Sequence, residues 1–428
     1  MSTQQVQSRG IYHGLPVFPP SVKGLKAIVT GANGISGYHM VRVLAEAPER
    51  WSKIYCLSRR PPAIPGGEPD NAEHIPLDFL KSPEEIAKVL KDRGVEADYV
   101  FFYSYIQVEP KEGQALWSNA QEMCEVNLKL LSNFLDGLKI ASISPKKIML
   151  QTGAKNYGVH LGPTTVPQEE DDPRVTLEPN FYYPQEDFLW DYCKNLNIGW
   201  SVARPSFILG AVPDAAMNVC FPLAVYAAVC KHLGTPLEYP SDIGAWESTQ
   251  DQSSAMMNAY LEEWSVLEEK AKNQAFNAVD ASPFSWGKFW TKLAKWYGLQ
   301  YIAPDPNKDN YQTLETPHDP PPRGFGPPGL MHTKYTMTEW AKRPEIKKAW
   351  KELAEKHGLQ DKDLKESDRI FAFLDAALSW SQKIHFSTTK ARKLGFHGFV
   401  DSTECILEVF HDFANLKMIP PVPVPPPS

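Results

Sequence analysis

The chain has 428 residues, 43% of them hydrophobic and 22% charged, which suits one large α/β domain with an appendage or two domains. Its net charge of −7 provides no basic surface for nucleic acid, and its six scattered cysteines contain no C-x-x-C pair that would indicate a zinc site or a disulfide framework. We find no apolar run long enough to span a membrane and no signal peptide, so we expect a cytoplasmic protein without a metal site.

The first half of the chain alternates short apolar strands with amphipathic helices. Six strands are predicted, at 25–31, 53–58, 74–78, 98–104, 147–152 and 199–204. Helices are predicted at 35–47, 82–93 and 117–139. This alternation is typical of a doubly wound parallel sheet with helices on both faces. We therefore predict a Rossmann-type α/β domain over residues 24–212, preceded by a flexible arm at 1–23.

The second half is mainly helical and rich in tryptophan, which predicts a substrate-binding region over residues 213–419. Its helices are predicted at 217–233, 252–273, 284–297, 344–357 and 362–384. Residues 303–330 contain the run PHDPPPRGFGPPG and show neither helical nor strand periodicity, so we expect an irregular loop. The tail at 420–428 is rich in proline and is predicted to be extended.

The motif GANGISG follows the first predicted strand and opens a helix, which is the context of a dinucleotide-binding turn. Gly31 permits the tight turn, and Gly34 lets backbone N–H groups approach a pyrophosphate at the helix N-terminus. Gly37 permits close packing of the helix on the strand. Asn33 and Ile35 lie within the same turn and are therefore candidate cofactor contacts.

The end of the second strand predicts NADPH as the cofactor. NAD enzymes usually place an acid there for the ribose hydroxyls, whereas this chain has Ser58, Arg59 and Arg60. A hydroxyl and two guanidinium groups suit a 2′-phosphate, although a solvated basic turn is the alternative. Asp78, at the end of the third strand, is either an acceptor for the adenine amino group or a turn-forming residue.

Two separate segments, QTGAKNYG and NFYYPQED, carry the candidate catalytic residues Lys155 and Tyr182. Most short-chain dehydrogenases place this pair on one helix as Tyr-x-x-x-Lys, but the positions four after Tyr182 and Tyr183 are the acids Glu186 and Asp187. A tyrosine suits hydride-transfer chemistry if a nearby cation lowers its pKa from about 10. We predict that Lys155 is that cation, the alternatives being a surface lysine and a tyrosine that only packs.

Other residues are expected to line the same cleft. Thr152 and Gly153 are candidates for the nicotinamide pocket, and the backbone of Pro205, Ser206 and Phe207 for its carboxamide side. The candidate substrate-pocket residues, each of which could instead belong to the core, are Tyr105, Tyr157, Met217, Phe221 and Trp380. Their apolar character favours a small hydrophobic substrate of polycyclic or terpenoid type.

These segments, together with SVARPSFILG and KARKLGFHGF, resemble the progesterone 5β-reductase/iridoid synthase family of short-chain dehydrogenases over about residues 24–420. The resemblance implies that Lys155 and Tyr182 form the active site and that residues 58–60 select NADP. It implies NADPH-dependent reduction of the C=C bond of an activated enone, with hydride added to the β-carbon and the enolate held by Tyr182 and Lys155. Tyr105 and Ile106 depart from the family's usual Thr-Trp, so the substrate does not transfer.

Two other functions remain open at this point. The same cofactor and the same Tyr/Lys pair would serve a carbonyl dehydrogenase, a ketoreductase or a redox-neutral isomerase or cyclase. A regulator that binds NADP without catalysis is the third reading, although it would need neither Lys155 nor Tyr182. The sequence leaves a homodimer open.

Overall fold

The chain folds around one parallel sheet. The structure is a computed structural model that describes residues 5–64, 67–108, 119–214 and 217–427. The strands are β1 (Val6–Arg9), β2 (Tyr12–Pro16), β3 (Leu25–Thr30), β4 (Trp51–Ser58), β5 (Ala72–Pro76), β6 (Tyr99–Phe102), β7 (Lys147–Gln151), β8 (Gly199–Pro205), β9 (Phe207–Leu209), β10 (Leu237–Glu238), β11 (Gln252–Ser254), β12 (Gln274–Ala278), β13 (Tyr301–Ile302), β14 (Gln312–Glu315) and β15 (Leu330–Thr333). The α-helices are α1 (Ile35–Ala45), α2 (Pro83–Asp92), α3 (Ala120–Ile140), α4 (Tyr182–Leu196), α5 (Cys220–Leu233), α6 (Ile243–Glu247), α7 (Ala255–Leu267), α8 (Trp286–Tyr297), α9 (Met337–Lys342), α10 (Pro344–His357), α11 (Ser367–Ser379), α12 (Thr389–Leu394) and α13 (Ser402–Asn415).

The central sheet has seven strands in the order β12-β8-β7-β6-β3-β4-β5, and every neighbouring pair is parallel. The chain leaves β3 toward β4 on one side and returns to β6 on the other, so the strand order reverses between β3 and β6. Thr30, the last residue of β3, accepts hydrogen bonds from the N–H groups of Tyr103 at 3.0 Å and Ser104 at 3.3 Å. Ligands of doubly wound sheets bind at such a reversal, at the carboxyl ends of the strands.

Helices cover both faces of the sheet. Helices α1 and α7 pack on one face, and α2, α3 and α4 pack on the other. Adjacent strand residues such as Ile28 and Val29 are both fully buried, as are Ile148 and Met149, because successive side chains point to opposite faces. The predicted doubly wound α/β fold is therefore confirmed. Among the described residues, no helix is long and apolar enough to cross a bilayer.

The seventh strand, β12, was not predicted. It comes from Gln274–Ala278, beyond the predicted boundary at residue 212, and the helix predicted at 252–273 divides into β11 and α7. One buried cluster includes Ala27 and Val41 of the nucleotide-binding half together with Trp264 and Trp286 of the later half. The predicted boundary therefore does not separate two hydrophobic cores.

The N-terminal segment forms a hairpin rather than a flexible arm. Strands β1 and β2 pair in antiparallel fashion, and the side chains of Ile11, Tyr12 and Leu15 are buried. The backbones of His13 and Phe399 exchange two hydrogen bonds of 3.0 Å, which fixes the hairpin to the C-terminal part of the chain. The prediction of a flexible arm is wrong for residues 6–16. The polar residues around Ile11, Tyr12 and Leu15 gave no sign in the sequence that these side chains are buried.

The Pro/Gly-rich stretch is also more ordered than predicted. Strands β14 and β15 form an antiparallel pair, and the loop between them is closed by Thr316, whose N–H donates to the Gly329 carbonyl at 2.9 Å. Arg323 N–H donates to the carbonyl of Pro163 at 3.1 Å, so the loop docks on the segment that follows Lys155. No helix or strand follows α13 in the tail as far as residue 427.

Candidate active site

The glycine motif forms a tight turn at the carboxyl end of β3. Gly31 has a φ of +60°, and its N–H donates to the carbonyl of Leu57 at 2.8 Å. A Cβ on Gly31 would lie 3.1 Å from the carbonyl carbon of Tyr103, and a Cβ on Gly37 would lie only 2.4 Å from the Gly31 oxygen. The first glycine thus serves the turn and the third serves close helix packing, as their spacing predicts.

The N-terminus of α1 fits a phosphate group. Gly34 is the N-cap and supplies no side-chain hydrogen bond, and the first turn contains no acidic residue. Asn33, Gly34 and Ile35 are partly exposed, so the first N–H groups of the helix face the cleft without a carboxylate to compete for them. Ser36 accepts a 2.9 Å hydrogen bond from Nε2 of Gln151, which joins the helix to β7.

The end of β4 presents a hydroxyl and two guanidinium groups beside this turn. Ser58 is buried, and its Oγ donates to the carbonyl of Arg60 at 2.7 Å, so this hydroxyl shapes the turn. Arg59 is exposed. Arg60 forms an ion pair of 2.8 Å with Asp214. The predicted 2′-phosphate residues therefore lie together at the expected edge, two of them with protein partners.

Asp78 acts as a turn residue in the structure. Its Oδ1 accepts a hydrogen bond from the N–H of Leu80 at 3.0 Å, and its carbonyl accepts one from Lys81 at 3.2 Å. This is the alternative that the sequence left open beside a contact with adenine.

Lys155 lies on a short 3₁₀ turn, Ala154–Tyr157, directly after β7. Its carbonyl accepts a 2.8 Å hydrogen bond from Nδ2 of Asn180, and its ammonium lies 5.7 Å from the centre of the Phe181 ring. Burial lowers the pKa of Lys155 to about 8, and the charge of Glu178 opposes that shift. Lys155 is thus a partly desolvated cation that is largely protonated at neutral pH.

Tyr182 contacts the residue that precedes the 3₁₀ turn of Lys155. It is the first residue of α4, four residues earlier than the predicted start near Glu186, because Oδ1 of Asn180 accepts the Tyr182 N–H at 3.1 Å. A Cβ on Gly153 would lie 2.8 Å from the Tyr182 hydroxyl, so the phenol rests against the residue two before Lys155. Within the described part of the chain this hydroxyl has no hydrogen-bond partner.

The adjacent Tyr183 is structural. Its hydroxyl accepts a hydrogen bond from the N–H of Val175 at 2.8 Å and donates to the carbonyl of Asn156 at 2.7 Å. Only one of the two tyrosines was expected to face a ligand, and the hydroxyl of Tyr183 is held by these two backbone groups.

Glu186 stands where most short-chain dehydrogenases have the helical lysine, and it forms buried ion pairs instead. Glu186 is 1% exposed and pairs with Arg204 at 3.0 Å and with Arg174 at 3.2 Å. Arg204 also donates to the carbonyl of Glu170 at 2.9 Å. Glu186 therefore joins α4 to β8 and places no charge beside the phenol.

The pKa of Tyr182 shifts against the sequence-based expectation. Burial raises the pKa of this phenol, and the neighbouring Tyr105 raises it further, whereas a cation was expected to lower it. Desolvation is the largest cause of this rise in the pKa of Tyr182. Tyr182 is consequently a neutral hydrogen-bond donor at physiological pH.

The residues predicted for the nicotinamide side lie near Tyr182. Thr152 is buried at the end of β7, and Pro205 is buried at the end of β8. The carbonyl of Pro205 would lie 3.5 Å from a Cβ on Gly153. Ser206 N–H donates to Oγ of Ser253 at 2.8 Å, while its own Oγ is buried and has no partner among the described residues. This orphaned hydroxyl fits a polar ligand group.

The five predicted pocket residues divide into three groups. Tyr105 lies at the site, because its ring centre is 5.5 Å from that of Phe181. Tyr157 and Trp380 share a small buried cluster against which Phe207 packs, and the Tyr157 hydroxyl donates to Asn277 at 2.6 Å. The remaining two lie on or before α5.

No contact among the described residues joins Phe221 or Met217 to Tyr182. Phe221 packs on Phe413, with ring centres 5.5 Å apart, and belongs to the core. Met217 is half-buried just before α5. The alternative of core packing therefore holds for Phe221.

Three polar residues near Lys155 were missed by the sequence reading. His318 Nε2 lies 3.1 Å from Oε1 of Glu178. Burial, followed by the fields of Lys155 and His318, holds the pKa of His160 well below its usual range. They come from three separate segments, and the run PHDPPP, which contains His318, was the one available signal. Among the described residues, no group of three or more His, Cys, Asp or Glu is placed to hold a metal ion.

Comparison with known proteins gives a consistent family. The family model of the PRISE-like Rossmann-fold domain matches residues 27–317. The 3-oxo-Delta(4,5)-steroid 5-beta-reductase of Arabidopsis thaliana is 29% identical, covering 92% of this chain and 93% of its own. The (S)-8-oxocitronellyl enol synthase of Catharanthus roseus is also 29% identical, covering 92% of each chain.

Solved structures show the same fold at low identity. The epimerase of Methanothermobacter thermautotrophicus aligns with a TM-score of 0.51 and 19% identity, over 67% of this chain and 82% of its own. This likeness supports the Rossmann architecture alone. The family match covers most of the chain and includes both the glycine turn and the segments that carry Lys155 and Tyr182.

Proposed function

The chain belongs to the family with the PRISE-like Rossmann-fold domain, as its motifs indicated, and on that premise we propose that it is an NADPH-dependent reductase of the C=C bond of activated enones. It is an oxidoreductase of the short-chain dehydrogenase/reductase superfamily. The observation that supports enone reduction with NADPH is the contact of the Tyr182 hydroxyl with Gly153, the N-cap of the turn that bears Lys155.

The residues at the carboxyl edge suit a nicotinamide dinucleotide. The glycine turn and the uncapped N-terminus of α1 would hold its pyrophosphate. When bound, this cofactor supplies a hydride. NADPH is favoured over NADH because Arg59 and Arg60 stand where an acid would otherwise bind the ribose hydroxyls.

Tyr182 supplies a hydrogen bond to the substrate carbonyl. When the β-carbon of an enone accepts a hydride, negative charge develops on the carbonyl oxygen as an enolate. A neutral phenol donates to that oxygen, and the raised pKa of Tyr182 keeps it neutral. One preorganised oxyanion donor is typically worth about 3–4 kcal/mol of barrier.

Lys155 supplies positive field. Its ammonium lies on the turn that begins at Gly153, and partial burial strengthens its interaction with a developing charge. The ammonium is present at neutral pH because the lowered pKa of Lys155 remains at about 8.

The neighbouring rings favour a hydrophobic substrate. The Phe181 ring centre lies 4.4 Å from that of Tyr182 and 5.5 Å from that of Tyr105, so Phe181 packs against both tyrosine rings. Flat, apolar enones suit such a wall. The name of the Arabidopsis relative states that it acts on a 3-oxo steroid, which has this character.

A substrate panel tests the proposal. We expect the purified protein to oxidise NADPH with cyclic and acyclic enones and not with the matching saturated ketones. With deuterium-labelled NADPH, NMR of the product should place the label on the β-carbon. Label on the carbonyl carbon would identify a ketoreductase instead. Absence of turnover with every substrate, despite NADPH binding, would favour the regulator.

A further inference from the structure

An ion cluster links the end of β4 to helix α11. Nη2 of Arg60 lies 2.8 Å from Oδ2 of Asp214, and Nη2 of Arg369 lies 2.7 Å from Oδ1 of the same carboxylate. Arg60 follows β4, Asp214 lies in the segment after β9, and Arg369 belongs to α11. One carboxylate therefore bridges two guanidinium groups that are 309 positions apart in the chain.

The cluster carries surplus positive charge. Arg59 is exposed beside Arg60, and Glu366 is the second acid present, with its Oε2 at 3.2 Å from Nη1 of Arg369. Arg60 and Arg369 are paired with the carboxylates of Asp214 and Glu366, and Arg59 adds a further guanidinium next to Arg60 in the chain. The hydrogen bond from Arg60 is the largest cause that lowers the pKa of Asp214, so its carboxylate is charged at neutral pH.

The position of the cluster corresponds to the ribose end of a dinucleotide. It adjoins the carboxyl end of β4, the strand next to the glycine turn, where doubly wound folds bind the adenine ribose. A phosphate can pair with two guanidinium groups as a carboxylate does, and a phosphate offers more charge and more acceptor oxygens.

From this geometry we propose that Arg369 is a third guanidinium ligand of the cofactor's 2′-phosphate, and that Asp214 holds Arg60 and Arg369 until the phosphate replaces it. The inference rests on the proposed NADPH dependence and adds a residue of the C-terminal region to the selection of the cofactor. Helix α11 would thereby contribute directly to the affinity for NADPH.

The test compares two fragments of the cofactor by calorimetry, namely 2′,5′-ADP, which has the 2′-phosphate, and 5′-AMP, which lacks it. Arg369→Gln should weaken binding of 2′,5′-ADP by roughly tenfold or more and leave binding of 5′-AMP unchanged. Arg93→Gln is the matched control. Arg93 has the same 45% exposure as Arg369 and is also ion-paired, but its partner is Glu73 of β5 and not Asp214.

A second variant tests the displacement. Asp214→Asn removes the competing charge, so 2′,5′-ADP should bind several-fold more tightly than to the wild type. Equal or weaker binding would overturn the role given to Asp214. Arg369→Lys keeps the charge and loses the planar fork, and it replaces the glutamine variant if that variant does not fold.

The outcomes separate this inference from the proposed function. If the wild-type protein binds 2′,5′-ADP no better than 5′-AMP, the preference for NADPH itself is wrong. If the wild type prefers 2′,5′-ADP and Arg369→Gln keeps that preference in full, only the role of Arg369 is wrong.

Discussion

The tyrosine hydroxyl at the start of α4 is the residue on which the proposed chemistry depends. The sequence identified Tyr182 through the segment NFYYPQED, which resembles a known family. The residues alone did not show which of Tyr182 and Tyr183 faces the ligand. The contacts that decide between them, from Val175 and Asn156 to Tyr183, join residues far apart in the chain. Such contacts leave no local pattern.

Replacing Tyr182 by Phe should lower kcat by about a hundred- to a thousandfold, because the enolate loses its donor. Steady-state turnover of an enone identified by the substrate panel measures the loss. Tyr192→Phe is the matched control, since Tyr192 lies on the same helix and its hydroxyl donates to the carbonyl of Leu135 at 2.8 Å. Activity of the Tyr182 variant within a few-fold of wild type would refute the assignment.

Gly153→Ala should displace the phenol without straining the backbone. The φ of Gly153 is 168°, which any residue adopts, but the added methyl would lie 2.8 Å from the Tyr182 hydroxyl. We expect a loss of kcat of roughly tenfold to a hundredfold. In a Tyr182→Phe background the same change should cost little, because no hydroxyl remains to be displaced. Equal losses in both backgrounds would show that Gly153 acts otherwise.

The pH dependence of kcat/KM should report Lys155. Its ammonium is the active form, so activity should fall as pH rises through about 8, the pKa to which burial lowers it. Glu178→Gln removes a charge that raises this pKa, and the fall should move to lower pH.

Lys155→Met supplies the control for that profile, because it should abolish the titration. A fall near pH 8 that survives in this variant belongs to another group. Lys147, whose pKa burial also lowers to about 8, is the first candidate.

At the scale of elements, α4 combines a functional first residue with a structural anchor one turn later. The sequence showed that Glu186 stands where related enzymes have lysine, but it did not show the reason. Arg204 lies on β8 and is buried, and its Nη2 pairs with Oε1 of Glu186 at 3.0 Å. Asn180 lies just before the N-cap residue Phe181 and accepts the N–H of Tyr182, so α4 begins before the predicted residue.

Arg204→Met should destabilise the protein by about 3 kcal/mol, because Glu186 keeps only Arg174 to balance a buried charge. Urea unfolding measures this free energy. Asp92→Asn breaks an exposed pair with Lys88 and should leave the midpoint unchanged. An equal effect of the two substitutions would contradict the buried anchor.

At the scale of the whole molecule, the fold class was predictable and the division of the chain was not. Six strands are marked by consecutive apolar residues, and their alternation with helices specifies a parallel sheet. Strand β12 has the sequence QAFNA, in which Gln274 and Asn277 interrupt the apolar residues, so no continuous apolar run indicates a buried strand. The N-terminal hairpin has few buried residues, namely Ile11, Tyr12, Leu15 and Pro16, and the polar residues around them conceal the pattern.

Deletion of residues 1–17 should destabilise the protein by several kcal/mol. The hairpin buries Ile11, Tyr12 and Leu15, and each such side chain contributes about 1.5–3 kcal/mol. The Tyr12 ring also lies 5.8 Å from that of Tyr260 on α7. A denaturant or thermal melt measures the change, and an unaltered melt would restore the idea of a dispensable arm.

The late position of β12 has a consequence for biosynthesis. A nascent chain that has emerged only to residue 212 has six of the seven strands of the central sheet but lacks both β12 and α7, which covers one face of the sheet. The nucleotide-binding half therefore cannot complete its core on the ribosome until residue 278 is outside the exit tunnel. Until then the apolar face of the sheet that α7 covers remains exposed. We expect chaperones to bind the growing chain during that interval.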